Sequence, residues 1–368
     1  MARRPILALF AVCGCTGLVC ELVWTRWLGL VWGNAATAAA LVLAVFMAGQ
    51  ALGYWVLGRV AAGRNGAESL ALYGALEAGL AALTACSPLL RDSPAGLLLV
   101  FAAAVLMGGS LPVLAAALRA EAGAGLGALY AANTVGGAAG PLLAAFALIP
   151  AAGLAGAVRT AAGLDAAVAV AAFVLARRAT VATEGRVPPG SPGGVFSRRT
   201  ASEAGGARMR EGPPLLLAAA SGFVALGFEV ALTRLLILSV TGSSIYALAA
   251  VLSSFLGGIA VGAAVLRLRP PRDARAALAG CGIALLLPWA FTVLLPLWDR
   301  VPLVLFGIWR RFPPFPVLQG VNVVAATLLL LPVTGAFGYA LPTLASALGP
   351  PGAARTGRLF AANTLGAA

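Results

Sequence analysis

The residues able to do chemistry are few, and their spacing carries most of the information. Glu21 and Arg26 stand five apart in GLVCELVWTR, as do Glu229 and Arg234 in ALGFEVALTR. Glu77 and Asp165 are single carboxylates inside apolar runs, and Asn133 and Asn363 each occupy an AANT motif. The chain has no histidine, which excludes a Ser-His-Asp triad and any His-ligated metal. Cys13, Cys15, Cys20, Cys86 and Cys281 all fall in apolar runs without CxxC spacing. They read as small buried residues and give no zinc site. GAGLG (123–127) has the glycines of a nucleotide loop. It follows an apolar run rather than a strand, and no acidic partner stands about 20 residues on. No metal and no cofactor is expected. What remains is the chemistry of carboxylates, guanidinium groups and amides at membrane depth.

Composition says what must position them. Of 368 residues, 61% are hydrophobic and 10% charged, with mean hydropathy +0.97. Soluble domains run at about 45–50% apolar and about 25% charged, so a multi-pass membrane protein is expected, with the lipid bilayer as its main partner. A bilayer-crossing helix needs about 20 apolar residues. Candidate spans are 5–31, 35–58, 68–90, 97–118, 127–150, 154–176, 214–240, 243–266, 274–298 and 316–347, and another begins near 357. The first run is too long for a signal peptide and contains Glu21 and Arg26. The stretch 302–315, with its prolines, aromatics and Arg310–Arg311, reads as interfacial.

All 25 basic residues are arginines, against 12 acidic ones, for a net charge of +13. A nucleic-acid interface would need a soluble basic face, whereas these arginines sit mainly between apolar runs, so no nucleic-acid partner is expected. With the N-terminus cytoplasmic, the inside carries Arg3, Arg4, Arg59, Arg64, most of the remaining loop arginines and the arginines of 177–213. The outside carries Arg91, Arg159, Arg300, Arg310 and Arg311. This asymmetry predicts an N-in orientation.

Four motifs recur in order. GLVCELVWTR (17–26) matches ALGFEVALTR (225–234), and FMAGQALG (46–53) matches FLGGIAVG (255–262). GGSLPVLAAAL (108–118) matches FGYALPTLASAL (337–348), and LYAANTVGGAA (129–139) matches LFAANTLGAA (359–368). Ordered recurrence of this kind indicates duplication. The expected domains are a first repeat at 1–176, an Arg/Pro/Gly-rich cytoplasmic linker at 177–213 and a second repeat at 214–368. By analogy with the first repeat, the second is expected to be incomplete, lacking the rest of its current span and one more. The expected fold is an all-α, polytopic transmembrane bundle of two parallel repeats with about six helices each, resembling the major facilitator architecture.

Charges at membrane depth face a bundle interior or a cavity. Glu21 and Arg26 lie about 140° apart on one helix, so they cannot pair within it. Across a pseudo-twofold, Glu21 can meet Arg234 and Glu229 can meet Arg26, and this cross-repeat pairing is the expectation. The alternatives are snorkelling arginines and a transport or proton role. Glu77 and Asp165 read either as a substrate or proton site or as carboxyls satisfied by neighbouring hydroxyls. Asn133, Asn363 and the pairs Gly49/Gly53 and Gly258/Gly262 read mainly as packing features.

ELVWTRWLGLVWG, FMAGQALG, YGALEAGLAALTACSPLL, GGSLPVL and LYAANTVGGAAGPLLAAFALIPAAGL resemble the membrane region of fused bacterial spermidine synthase-like proteins. Glu21, Trp24, Arg26, Gly29, Gly33, Asn133 and Pro150 fall on that pattern, and Leu232 departs from it where the first repeat has tryptophan. The resemblance implies a bacterial inner-membrane location and a polyamine context. It also implies a following aminopropyltransferase-like domain, whose catalytic residues are not among these 368. Three readings follow: the membrane module of such a protein, a stand-alone transporter of a polyamine-like cation, or a membrane scaffold that transports nothing. Reporter insertions test the orientation. A fluorescent protein at Gly193 should fluoresce and alkaline phosphatase at Asp92 should be active in bacterial cells; the opposite pattern would reverse the topology.

Overall fold

The structure, a computed structural model, describes residues 3–32, 35–90, 92–93, 95–118, 124–184, 212–236, 244–268, 273–293, 315–347 and 352–368, with 300, 303, 306–307 and 310–311 besides. Every regular element among them is helical. That follows from the apolar runs: in lipid a chain must satisfy its backbone within its own segment. The first group is α1 (Arg3–Trp32), α2 (Ala35–Val60), α3 (Gly66–Leu90), α4 (Ala95–Ala117), α5 (Ala124–Leu143) and α6 (Ile149–Glu184). The second is α7 (Gly212–Leu236), α8 (Ile245–Leu268), α9 (Ala274–Thr292), α10 (Phe315–Ala347) and α11 (Ala353–Ala367).

Short polar residues start several of them. Asn65 and Glu68 cap α3 reciprocally: Asn65 Oδ1 accepts from Glu68 N at 2.9 Å, and Glu68 Oε2 accepts from Asn65 N at 3.0 Å. Asp273 Oδ1 accepts from Ala276 N at 2.7 Å to open α9, and Ser244 Oγ accepts from Ala247 N at 3.0 Å to open α8. Residues 125–181 form a continuous helical run of 57 residues, about 85 Å if straight. A π-turn over Ala144–Leu148 and a break at Gly153 (φ 69°, ψ −179°) divide it. That backbone conformation is essentially restricted to glycine. Beyond it α6 packs back against 144–148, and both legs lie against α1.

The linker expected at 177–213 begins later than its composition suggests. Residues 177–184 remain helical as the end of α6, with Arg177 and Arg178 exposed. An established helix propagates into residues that would not nucleate one. The rest of that linker, 185–211, and most of the interfacial stretch 302–315 lie outside the described residues.

The two groups are built alike. In the first, α1 packs on α5, and α4 packs on α2 and α3; in the second, α7 packs on α11, and α10 packs on α8 and α9. The contacts match at the level of atoms. A Cβ at Gly14 would strike the Asn133 carbonyl, and one at Gly222 would strike the Asn363 carbonyl. A Cβ at Gly136 would strike Ala11 O, and one at Gly366 would strike Ala219 O. Gly53 lies against Val105 O and Gly262 against Gly335 O; Gly108 lies against Gln50 O and Gly338 against Ile259 O. Between the groups, α2 meets α11 and α5 meets α8. Those two contacts exchange when each helix is replaced by its repeat counterpart, which is the signature of a pseudo-twofold relating parallel repeats.

Burial differs between the two ends of the bundle. At the end that begins with Arg3, one apolar core runs through both repeats, from Ile6, Phe10 and Leu129 to Leu344, Leu359 and Phe360. Tyr54 and Tyr130 stack on Phe360 with centroids 5.5 and 5.8 Å away, and Gly357 packs against Tyr54 O. Toward the other end the core splits. One part lies around Trp24, Phe46 and Val100, and the other around Leu236, Phe255 and Leu330. Phe146 and Tyr246, 5.0 Å apart, bridge α8 and the π-turn there.

Overpacking tests the glycine contacts. Gly136→Ala and Gly366→Ala should each lower unfolding stability in detergent by about 1–3 kcal/mol. Gly127→Ala, whose added methyl meets nothing within 4 Å, should leave it unchanged.

Candidate functional site

Two separate groups of carboxylates emerge from these contacts. The first is Glu21 on α1 with Glu229 on α7. Tight glycine seams lock α1 to α5 and α7 to α11, and α5 and α11 supply the contacts between repeats. The two glutamates come near enough for their charges to interact. Each is largely enclosed by protein and keeps part of its surface accessible. They sit just beyond the shared core, where the apolar interior divides between the repeats.

The cross-repeat ion pairs expected from the sequence are not formed. Among the described residues no ion pair joins Glu21 to Arg234 or Glu229 to Arg26, and both arginines are exposed. Helical phase accounts for this. A five-residue separation turns each guanidinium about 140° from its glutamate. Facing the glutamates toward one another therefore sends both arginines elsewhere: Arg26 shares its exposed face with Leu30, and Arg234 shares its own with Val230 and Phe223.

The second group is enclosed within the first repeat. Glu77 on α3 and Asp165 on α6 are both 0% exposed and lie within electrostatic reach of one another. Thr16 Oγ1 on α1 is 2.5 Å from Asp165 Oδ1 and 3.0 Å from the Cys13 carbonyl oxygen. Ser110 Oγ on α4 is 3.3 Å from Glu77 Oε1 and 3.4 Å from the Leu106 carbonyl oxygen. Glu77 Oε2, Asp165 Oδ2 and the Tyr73 hydroxyl have no hydrogen-bond partner. The expected hydroxyl neighbours are thus present, but each leaves one carboxyl oxygen unmatched. Sequence reasoning did not pick out Thr16, Tyr73 or Ser110. Tyr73 carried a signal, since it precedes Glu77 by four residues on one face of α3.

Asn133 and Asn363 serve helix contacts. Asn363 Nδ2 donates to Ala218 O at 3.0 Å, tying α11 to α7, and Asn133 lies against Gly14 to tie α5 to α1. The cysteines are all free; Cys13, Cys20 and Cys281 are buried, whereas Cys86 is exposed near the end of α3. No cluster of three metal-ligating side chains occurs among the described residues.

No family model matches the chain, and no curated protein matches it. Among solved structures, a bacterial homologue of the iron transporter ferroportin in an outward-facing state is similar at TM-score 0.53 and 15% identity, over 100% of this chain and 89% of that one. An auto-inhibited POT family peptide transporter aligns over 100% of this chain and 87% of its own at 18% identity, with TM-score 0.47. The first likeness, together with the paired repeats, establishes a major-facilitator-like, multi-pass membrane fold.

A charge exchange tests the corrected geometry. Glu21→Arg combined with Arg234→Glu should yield no more folded protein than the worse single variant. Recovery to the wild-type level, measured as monodisperse protein after detergent extraction, would restore the ion-pair reading.

Proposed function

We propose that the chain is a transporter of a small organic cation, held between Glu21 and Glu229. The observation that carries this reading is the approach of two partly accessible carboxylates across the seam between repeats, with both nearby arginines directed away. Two like charges in a low-dielectric cleft repel one another and attract a positive group between them. A diamine or polyamine offers two ammonium groups on an apolar stem, which matches two carboxylates set in apolar walls. Placement at a repeat interface near the membrane midplane is where transporters of this architecture hold substrate. The arginine asymmetry supports a cytoplasmic N-terminus, and the spermidine synthase-like motifs support a bacterial inner-membrane location, so the end of the bundle away from Arg3 would face outward.

The spermidine synthase-like motifs favour a second reading in which the same bundle also anchors an aminopropyltransferase-like domain on the cytoplasmic side. It rests on ELVWTRWLGLVWG and LYAANTVGGAAG and shares the polyamine context.

Labelled spermidine and putrescine in proteoliposomes provide the test. Wild-type protein should carry flux above empty vesicles, and Glu21→Gln or Glu229→Gln should each reduce it at least about tenfold, the effect of roughly 1.4 kcal/mol of lost cation binding. Flux equal to that of empty vesicles would remove the transport reading and leave the scaffold.

A further inference from the structure

The enclosed group in the first repeat has no part in the cleft chemistry, yet its composition demands an account. Two carboxyls with no exposed surface lie within reach of one another. The ionisable groups facing them are Cys13, Cys15 and Cys20 from α1 and Tyr73 from α3. None of these is a cation. Helix α4 has no ionisable residue at all, and Arg159, Arg177 and Arg178 of α6 are exposed. Two ionised carboxylates in such a site would have neither counter-charge nor water.

Hydrogen-bond accounting points the same way. A threonine hydroxyl has one proton to donate. Thr16 has two oxygen neighbours, the Cys13 carbonyl at 3.0 Å and Asp165 Oδ1 at 2.5 Å. The carbonyl can only accept. If Thr16 donates to it, as helical serines and threonines commonly do toward the preceding turn, the other contact is satisfied only by a proton on Asp165. Ser110 stands between the Leu106 carbonyl and Glu77 in the same relation. Independently, the Tyr73 hydroxyl is 0% exposed, without a partner, and directed at the Glu77 carboxyl.

We propose that Glu77 and Asp165 form a proton-binding site enclosed by α1, α3, α4 and α6, separate from the cleft glutamates and holding at least one proton at neutral pH. Asp165 is the donor, giving its O–H to Thr16 Oγ1 while Thr16 gives its own proton to the Cys13 carbonyl. Glu77 and Tyr73 supply the remaining oxygens of the site. The hydroxyls already in contact serve as the proton's partners, and among the described residues no three of His, Cys, Asp and Glu gather there to hold a metal ion. The inference stands whether or not the bundle transports an organic cation, since it uses none of the cleft residues.

Infrared spectroscopy of the full chain in liposomes tests it directly. Wild-type protein at neutral pH should show a protonated-carboxyl C=O band that Asp165→Asn or Glu77→Gln removes or reduces. Asp165→Asn exchanges one neutral hydrogen-bonding group for another, so its unfolding temperature should stay near the wild-type value. Thr16→Val keeps Asp165 but removes its partner, and should shift the band rather than abolish it. That shift keeps the test decisive if the carboxyl variants fail to fold. Spectra showing only ionised carboxylates, with no protonated band changed by any of these substitutions, would overturn the proposal. So would a protonated band that disappears on adding sodium at constant pH, because the site would then hold a metal cation.

Discussion

Backbone-to-backbone approach at paired glycines is the contact from which the rest of the arrangement follows. Helices in lipid gain little from hiding apolar side chains from one another, since the tails are equally apolar, and so association depends on close packing. Here Gly14 and Gly136 bring α1 against α5, and Gly222 and Gly366 bring α7 against α11. Gly53 and Gly108 do the same for α2 and α4, as Gly262 and Gly338 do for α8 and α10. Because no side chain separates these helices, their rotation has little freedom. The rotation of α1 and α7 in turn decides that Glu21 and Glu229 are half-buried while Arg26 and Arg234 are exposed.

The two carboxylate groups illustrate opposite solutions to charge at membrane depth. Between the repeats, Glu21 and Glu229 keep part of their surface accessible. Inside the first repeat, Glu77 and Asp165 are sealed among hydroxyls and have no accessible surface. The duplication explains why one group is symmetric and the other is not. Glu21 and Glu229 occupy corresponding positions of a repeated motif, while α9, the counterpart of α3, has no carboxylate to answer Glu77. One group belongs to the relation between repeats and the other to a single repeat's interior.

Much of this was legible in the chain itself. Apolar run length located most of the described helix starts to within a few residues and the division near Gly153, but not the end of α6, which runs eight residues past 176. The recurring motifs contain Gly53 and Gly262, Gly108 and Gly338, and Gly136 and Gly366, which make matching contacts, but not Gly14 and Gly222. The five-residue spacing separates Glu21 from Arg26 in phase, as found. Attraction between opposite charges does not set the seam, because the rotation of α1 is decided by Gly14, Gly136 and Gly140 packing on α5. The meeting of residue 77 with residue 165 was not legible for a simpler reason. It depends on α6 folding back past Gly153 to lie along α3, and no local pattern records which helices become neighbours after such a reversal.

The unequal ends of the bundle have an energetic consequence. Opening the Arg3 end would require parting the Tyr54–Phe360–Tyr130 stack and the Gly357 contact with Tyr54, while the divided cores at the other end came together. In any equilibrium with a second arrangement, the shared core would favour the one seen here. A ligand can reverse that bias only through the difference between its affinities for the two arrangements. Moving such an equilibrium from 1:99 to 99:1 takes about 5.5 kcal/mol of differential binding. Phe360, buried between Tyr54 and Tyr130, is thus a residue whose size sets how firmly the Arg3 end is held together.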